Sequence, residues 1–295
     1  MSDQAERLRQ ISRQSEIPPD KVVSDPCRVV AVSSGKGGVG KTNLVVNLAL
    51  ILSQWNYDVV VVDADMGMAN VDVLVDVVPR YTLVDVIDSN MDIQDILIEG
   101  PQNIKILPGG SGFANIADLD QESRTRLLTR LKIVEDMGDF MFLDTGAGIS
   151  RNVMSFIGAA DDFVLITSPE PTALTDAYGM IKVVAEKEIQ PKVEVVVNYT
   201  RDLYQGQEVF NRLNRVCQRH LGNIELNYLG DILFDPSIGR AVEECKPFVL
   251  AYPKSDGSRS LHKIARRFLF QEDHVIPTRG GVRGFLNRLS NLVKG

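Results

Sequence analysis

The residues best suited to chemistry form one short segment, GKGGVGKT, near the start of the chain. It matches the pattern G-x-x-x-x-G-K-[ST] and consists of Gly35, Lys36, Gly37, Gly38, Val39, Gly40, Lys41 and Thr42. Glycines let backbone amide groups curl around phosphate oxygens, Lys41 supplies a positive charge, and Thr42 can ligate Mg²⁺. The segment therefore predicts binding of a nucleoside triphosphate with magnesium, and Lys36 is a second lysine that the pattern does not require.

Carboxylates follow at the ends of two later apolar runs, VVVVDAD and FMFLDTG. Ligands of open α/β sheets bind at the carboxyl ends of the strands, so Asp63, Asp65 and Asp144 are candidates for the same site. We assign Asp144 to the Mg²⁺ shell, because an aspartate at the end of a strand commonly has this role in P-loop enzymes. Asp63 and Asp65 have an alternative role, since an aspartate after a strand also caps helices and forms turns.

These residues need a scaffold, and the rest of the chain has the pattern for one. Short apolar runs, beginning with RVVAVSS at residue 28, alternate with stretches of helical spacing at 41–55, 122–136, 172–188 and 207–220. Continuous apolar strands separated by helices indicate a sheet that is covered on both faces. The predicted fold class is α/β, with a mostly parallel central sheet, helices on both faces and the architecture of a P-loop NTPase.

Composition limits the class of protein. The 295 residues are 44% hydrophobic, and no apolar run reaches the roughly 18 residues needed to span a bilayer. The first residues lack the apolar core of a signal peptide, and three cysteines (Cys27, Cys217 and Cys245) are scattered along the chain. This pattern predicts a cytoplasmic protein and argues against a zinc or iron–sulfur site built from this chain alone.

Charge is distributed unevenly. Residues 1–258 carry 24 Lys/Arg against 37 Asp/Glu, a net charge of −13, whereas residues 259–295 carry eight against two, a net charge of +6. The acidic body and the basic tail are therefore expected to meet different partners.

Three segments are predicted along the chain. Residues 1–26 are polar and contain IPPD and DP, which is typical of a short helix followed by a linker. Residues 27–272 form the nucleotide-binding domain. Residues 273–295 consist of a tether with one proline and two glycines, followed by a final helix.

The final helix is predicted to be amphipathic. Apolar residues at helical spacing share one face: Val282, Phe285, Leu286, Leu289, Leu292 and Val293. A short basic helix of this kind can lie in a membrane interface, where each basic residue near anionic lipid contributes about 1 kcal/mol. Two such helices in a dimer would bind far better than one. The alternative is a terminal helix that packs on the body.

The phosphate loop with its additional Lys36, together with DAD and LDTGAGI, resembles the MinD/ParA family of ATPases with a deviant Walker A motif, over residues 28–270. In that family the additional lysine contacts the other subunit's nucleotide in an ATP-dependent dimer. The resemblance implies that Lys36 acts in trans, much as an arginine finger does, and that Asp65 positions the attacking water. The resemblance also implies that Thr42 and Asp144 serve Mg²⁺. It places Asn198 and Asp235 on the adenine side of the nucleotide.

The first residues, DQAERLR, resemble the DQAxxLR element of the FlhG family (also called YlxH or FleN), MinD-like ATPases that control flagellar number and placement. In that family the element stimulates the GTPase FlhF, which implies this role for Asp3, Gln4, Ala5, Leu8 and Arg9. GKTNLVVNLAL, ANVDVL and TDAYGMIK also look like this family. Met66, Met68 and Gly146 depart from its usual residues in the switch segments, which leaves the hydrolysis rate open.

Together these features predict an enzyme that hydrolyses ATP with Mg²⁺, dimerises with ATP and lies peripherally on the inner face of the cell membrane. The predicted partners are a second copy of the chain, FlhF, an anionic membrane surface, and flagellar switch-complex proteins or transcriptional regulators. A MinD-type regulator of the division site is an alternative with the same chemistry. A ParA-type DNA-partitioning ATPase is a further alternative, but the acidic body argues against DNA as a partner.

Overall fold

The computed structural model describes residues 26–65, 71–89, 91–109, 120–270 and 280–294. Its eight strands are β1 Arg28–Ser34, β2 Val59–Ala64, β3 Ile98–Glu99, β4 Lys105–Pro108, β5 Phe140–Ala147, β6 Asp162–Thr167, β7 Lys192–Thr200 and β8 Glu225–Leu233. They form a single sheet in the order β3-β4-β2-β5-β1-β6-β7-β8. Every pair is parallel except β3 with β4, so the predicted α/β class with a mostly parallel sheet is confirmed.

Helices cover both faces of this sheet. In chain order they are α1 Lys41–Gln54, α2 Val71–Leu74, α3 Leu83–Asp88, α4 Ile93–Ile96, α5 Gln121–Leu131, α6 Arg151–Ala159, α7 Pro171–Glu186, α8 Leu203–His220, α9 Pro236–Glu243, α10 Phe248–Ala251, α11 Asp256–Phe270 and α12 Gly281–Lys294. Short 3₁₀ helices lie at Pro101–Asn103 and Lys132–Asp136.

The sheet separates two hydrophobic cores. Alternate residues of β1 enter different cores, with Val30 in the core that contains α1 and α11 and Val29 in the core that contains α6 and α7. All residues of β1 and β2 are buried, which explains why these strands are continuously apolar in sequence rather than alternating.

The strand register brings the predicted functional residues together. Asp63 of β2 lies directly beside Asp144 of β5, and Asp144 also pairs with Val32 of β1. Because β1 leads into the phosphate loop, the carboxyl ends of these three central strands place both aspartates next to that loop.

Helix α12 contributes to the core that contains α6 and α7. Val282, Phe285, Leu286 and Leu289 are each 1–2% exposed, and the helix packs against α6, β1 and the 3₁₀ turn at Lys132–Asp136. In this structure the tail helix thus packs as a layer of the body, which is the alternative left open by its amphipathic pattern. Among the described residues no helix is both long and apolar enough to cross a membrane.

Candidate active site

The phosphate loop lies between the end of β1 and the start of α1. Gly38 and Gly40 have φ angles of 80° and 92°, a left-handed conformation that favours glycine. A Cβ on Gly35 would lie 2.3 Å from the backbone carbonyl carbon of Asp176, because α7 passes directly against the loop. The loop thus needs glycine for two separate reasons, its backbone conformation and the close approach of a helix.

Lys41 and Thr42, the first residues of α1, both bond to Asp144. The Lys41 Nζ donates to Asp144 Oδ1 at 2.6 Å, and the Thr42 hydroxyl donates to Asp144 Oδ2 at 2.7 Å. Burial raises the pKa of the fully buried Asp144 carboxyl, while the charge of Lys41 and the two hydrogen bonds act in the opposite direction. A hydroxyl and a carboxylate side by side are the oxygen ligands that Mg²⁺ prefers, so these two residues fit the predicted metal role.

Asp65 and Asp63 have different surroundings. A carboxylate oxygen of Asp65 lies 3.7 Å from Lys41 Nζ, which places Asp65 at the phosphate end of the loop. Asp63 is 4% exposed, and its Oδ1 accepts a hydrogen bond from the Asp65 backbone N–H at 3.1 Å. Asp63 therefore bonds to the backbone at the end of β2, a local role of the kind that the alternative interpretation of the sequence gives it. Burial and the neighbouring Asp144 charge raise the pKa of Asp63 to about 7.

Lys36, the second lysine of the loop, contacts residues of its own chain in this structure. Its Nζ lies 3.0 Å from a Glu170 carboxylate oxygen and 3.1 Å from the Thr172 hydroxyl, at the start of α7. The side chains of Lys36 and Glu170 are 41% and 67% exposed. Sequence reasoning missed Glu170, although a carboxylate just after β6 follows the same rule that selected Asp65 and Asp144.

A cavity of about 730 Å³ opens beside the loop and reaches the ends of β7 and β8. Asn198 and Asp235, the two predicted adenine-side residues, both line it. The Asn198 side-chain amide donates to the Val39 carbonyl at 2.9 Å, so it also fixes the loop. A larger depression of about 810 Å³ between α7 and α8 contains none of the predicted nucleotide-site residues.

Asp235 is the N-cap residue of α9. Its carboxylate accepts hydrogen bonds from the Ser237 backbone and hydroxyl and from the Gly257 backbone. Partial burial raises the pKa of this carboxyl, but these hydrogen bonds outweigh it and lower the pKa to about 2. Asp235 therefore has a structural role here, and its contact with a base stays a prediction.

The predicted membrane-binding residues belong to α12, and none of them lines this cavity. Four of them are buried against the body, Leu292 is 43% exposed, and the Val293 side chain lies outside the described residues. Arg288 of α12 pairs with Asp161 at 2.9 Å and donates to the Ala159 carbonyl at 2.7 Å. The head residues Asp3, Gln4, Ala5, Leu8 and Arg9, and also Met66 and Met68, lie outside the described residues.

A phosphate loop with a second lysine, backed by aspartates at neighbouring strand ends of a mostly parallel sheet, defines a P-loop ATPase of the MinD/ParA class. The septum site-determining protein MinD of Pyrococcus horikoshii, solved with Mg-ADP, is 25% identical, with a TM-score of 0.64 over 85% of this chain and 99% of that chain. Residues 27–195 match the AAA domain family. The residues around the cavity fit a nucleotide with Mg²⁺.

Two relatives of known name show which family within this class the chain resembles. The antiactivator FleN of Pseudomonas aeruginosa is 36% identical over 90% of this chain and 94% of its own length. The flagellum site-determining protein YlxH of Helicobacter pylori is 31% identical over 81% of this chain and 80% of its own. The chain belongs to the FlhG (YlxH/FleN) family of MinD-type ATPases, as the sequence motifs predicted.

Proposed function

We propose that the chain is an ATP-driven switch that controls the number or placement of flagella. The observation that carries this proposal is the convergence of Lys41, Thr42, Asp65 and Asp144 beside one cavity, in a relative of FleN. FleN is named an antiactivator and YlxH a flagellum site-determining protein, and both names describe regulation rather than metabolism. A protein that changes state with its bound nucleotide suits such a task.

The site residues divide the work of hydrolysis between them. When bound, ATP and Mg²⁺ supply the phosphoryl group to be transferred and a cation that offsets its charge. Lys41, whose Nζ lies beside Asp144, would bind the phosphates, and Thr42 and Asp144 would hold Mg²⁺. Asp65, already beside Lys41, orients the attacking water. Asp65→Ala should therefore abolish ATP turnover in a phosphate-release assay, and retained turnover would refute this assignment.

Lys36 is proposed to act on the nucleotide of a second copy of the chain. Its pair with Glu170 is largely exposed, and such surface pairs contribute only about 0–1 kcal/mol. Phosphate groups of a partner's nucleotide can therefore displace Glu170 at little cost. Lys36 can therefore pair with Glu170 of its own subunit without nucleotide and contact the partner's nucleotide in the proposed dimer.

The experiment for Lys36 measures pairing and nucleotide binding separately. Lys36→Ala should weaken ATP-dependent dimerisation, followed by light scattering after gel filtration, while the monomer still binds nucleotide. Lys182→Ala is a matched control, since Lys182 is also half-exposed and pairs with a glutamate, Glu186, at 3.6 Å. Unchanged dimers in Lys36→Ala would show that the trans role is wrong.

Membrane association is proposed for the dimer, through α12. The face that would enter lipid is the face that is buried on α6 in this structure. Membrane binding therefore requires α12 to leave the body, and a peripheral position on the inner face of the cell membrane follows only in that state. Flotation with phosphatidylglycerol vesicles should recover the chain with ATP and Mg²⁺ but not with ADP, and should fail for Lys36→Ala. Equal flotation in both nucleotide states would overturn this part of the proposal.

The head is proposed to stimulate the GTPase FlhF, on the strength of its DQAERLR segment. The test compares FlhF GTP hydrolysis with the full chain and with a chain that lacks residues 1–20. The deletion should abolish stimulation and leave ATP turnover intact, because the phosphate loop begins at Gly35. A full chain that never stimulates FlhF would overturn the proposal for the head and leave the ATPase unaffected.

A further inference from the structure

Tyr199 occupies an irregular position at the end of β7. The parallel pairing with β8 shifts there, with Asn198 opposite Ile232 and Thr200 opposite Leu233, so Tyr199 is an additional residue in the strand. Its φ is 61°, a left-handed conformation that costs a residue other than glycine about 1–2 kcal/mol. The flanking Thr200 is fully buried and donates to the Ile232 carbonyl, which holds the irregularity in place.

This bulge directs two consecutive side chains to one place. In a regular strand Asn198 and Tyr199 would point to opposite faces of the sheet. Here the Asn198 amide donates to the Val39 carbonyl at 2.9 Å, and the Tyr199 hydroxyl lies 3.6 Å from where a Cβ of Gly40 would be. The Tyr199 backbone N–H in turn donates to Asn198 Oδ1 at 2.8 Å. Bulges commonly redirect a side chain in this way beside functional sites.

The contacted residues are critical parts of the phosphate loop. Gly40 is the N-cap residue of α1 and has no side chain to fix its own position. The backbone amide groups around it are the ones that must face phosphate oxygens. Tyr199 also lines the 730 Å³ cavity, and burial followed by the nearby Glu170 charge raises the pKa of its phenol. The ring, 40% exposed, thus lies beside Gly40 of the phosphate loop and close enough to Glu170 for that charge to act on the phenol.

We propose that Tyr199 is a positioning residue for nucleotide binding, whose strained bulge holds the ring and hydroxyl against Gly40 and keeps the loop amides directed into the cavity. The proposal rests on nucleotide binding in that cavity. A residue with this role changes nucleotide affinity more than the chemical step, because it shapes the loop and does not touch the reacting atoms. It also stabilises the site at the expense of backbone strain, so its removal need not destabilise the fold.

The test uses three variants of the full chain. Tyr199→Gly removes the ring and accepts the left-handed φ, and Tyr199→Phe removes only the hydroxyl. Glu188→Gly is the matched control, since Glu188 also has a left-handed φ, of 51°, and lies exposed after α7 rather than at the cavity. Each variant is measured for Mg-ATP affinity by calorimetry, for kcat and KM, and for Tm.

For Tyr199→Gly the dissociation constant and KM for Mg-ATP should both rise at least about tenfold, with a smaller change in kcat, while Tm does not fall. Tyr199→Phe keeps the ring beside Gly40, so its loss of affinity should be smaller, at most about threefold. Glu188→Gly should bind Mg-ATP as the wild type does. Wild-type affinity in Tyr199→Gly, a loss confined to kcat, or a loss that accompanies a lower Tm would each overturn the inference. A wild-type chain that fails to bind Mg-ATP would instead refute the proposed function.

Discussion

Phe285→Ala tests whether α12 opens from the body as a unit. Phe285 is 1% exposed and lies in the middle of the buried face of α12. Truncation of a buried phenylalanine to alanine costs about 3–5 kcal/mol. If all of that cost falls on the docked state, the equilibrium between docked and undocked α12 shifts by at least about 100-fold, at 1.4 kcal/mol for each factor of ten.

The reporter for this opening is Cys27. It is 3% exposed, and its carbonyl oxygen lies 3.0 Å from where a Cβ of Gly281, the first residue of α12, would be. Burial raises the pKa of the Cys27 thiol above its usual range, so the docked protein should react slowly with a thiol reagent. In a chain with the two other cysteines replaced by alanine, Phe285→Ala should accelerate this reaction at least about 100-fold, because the reaction rate follows the population of the open state.

Phe248→Ala is the control for opening by global unfolding. Phe248 is 2% exposed and lies in the core on the opposite face of the sheet, so its loss should destabilise the fold without acting on α12 directly. If both variants accelerate Cys27 modification equally, exposure of the thiol requires global unfolding and α12 does not open by itself. An unchanged rate in Phe285→Ala would refute the idea that α12 shields the thiol.

Three further substitutions test the site and the helix that packs against it. Asp63→Asn, studied without nucleotide and with EDTA, should flatten the pH dependence of stability. The pKa of Asp63 rises from 3.8 to about 7 on folding. The unfolding free energy of the wild type should therefore fall as the pH rises from 3.8 to about 7, by up to about 4 kcal/mol. Urea unfolding at pH 5 and pH 8 measures this, and equal slopes in both proteins would contradict it. Gly35→Ala should lower stability by about 1–3 kcal/mol, because its Cβ would meet the Asp176 backbone at 2.3 Å. Gly179→Ala, in the interior of α7 with open space around it, should instead raise stability by about 0.5–1 kcal/mol; the reverse order in thermal unfolding would refute both assignments.

The parts of the site that sequence alone predicts are those defined by local pattern. The glycine spacing of the loop and the aspartates at the ends of apolar runs need only strand and helix periodicity to be placed at one edge of a sheet. The contact of Lys36 with Glu170 joins residues 134 positions apart, and no local pattern encodes such a pair. Tyr199 was missed for a different reason, since the run KVEVVVNYT gives no sign of the register shift within it.

The tail shows why one pattern supports two structures. An apolar face on a helix indicates only that the face avoids water, and lipid or a protein core satisfies it equally. What selects the protein core here is the complementary surface of α6 and the carboxylate of Asp161 opposite Arg288. Neither is visible from residues 281–294 alone.

Helix α6 has a position that joins two parts of the molecule. It begins at Arg151, seven residues after Asp144, and ends at Ala159, whose carbonyl accepts a hydrogen bond from Arg288 of α12. At 1.5 Å per residue, its nine residues make a rigid rod about 13 Å long. One end of this rod follows the strand that carries Asp144, the aspartate predicted to serve Mg²⁺, and the other end supports the tail. A displacement of the first end would therefore also shift the surface on which the tail helix rests.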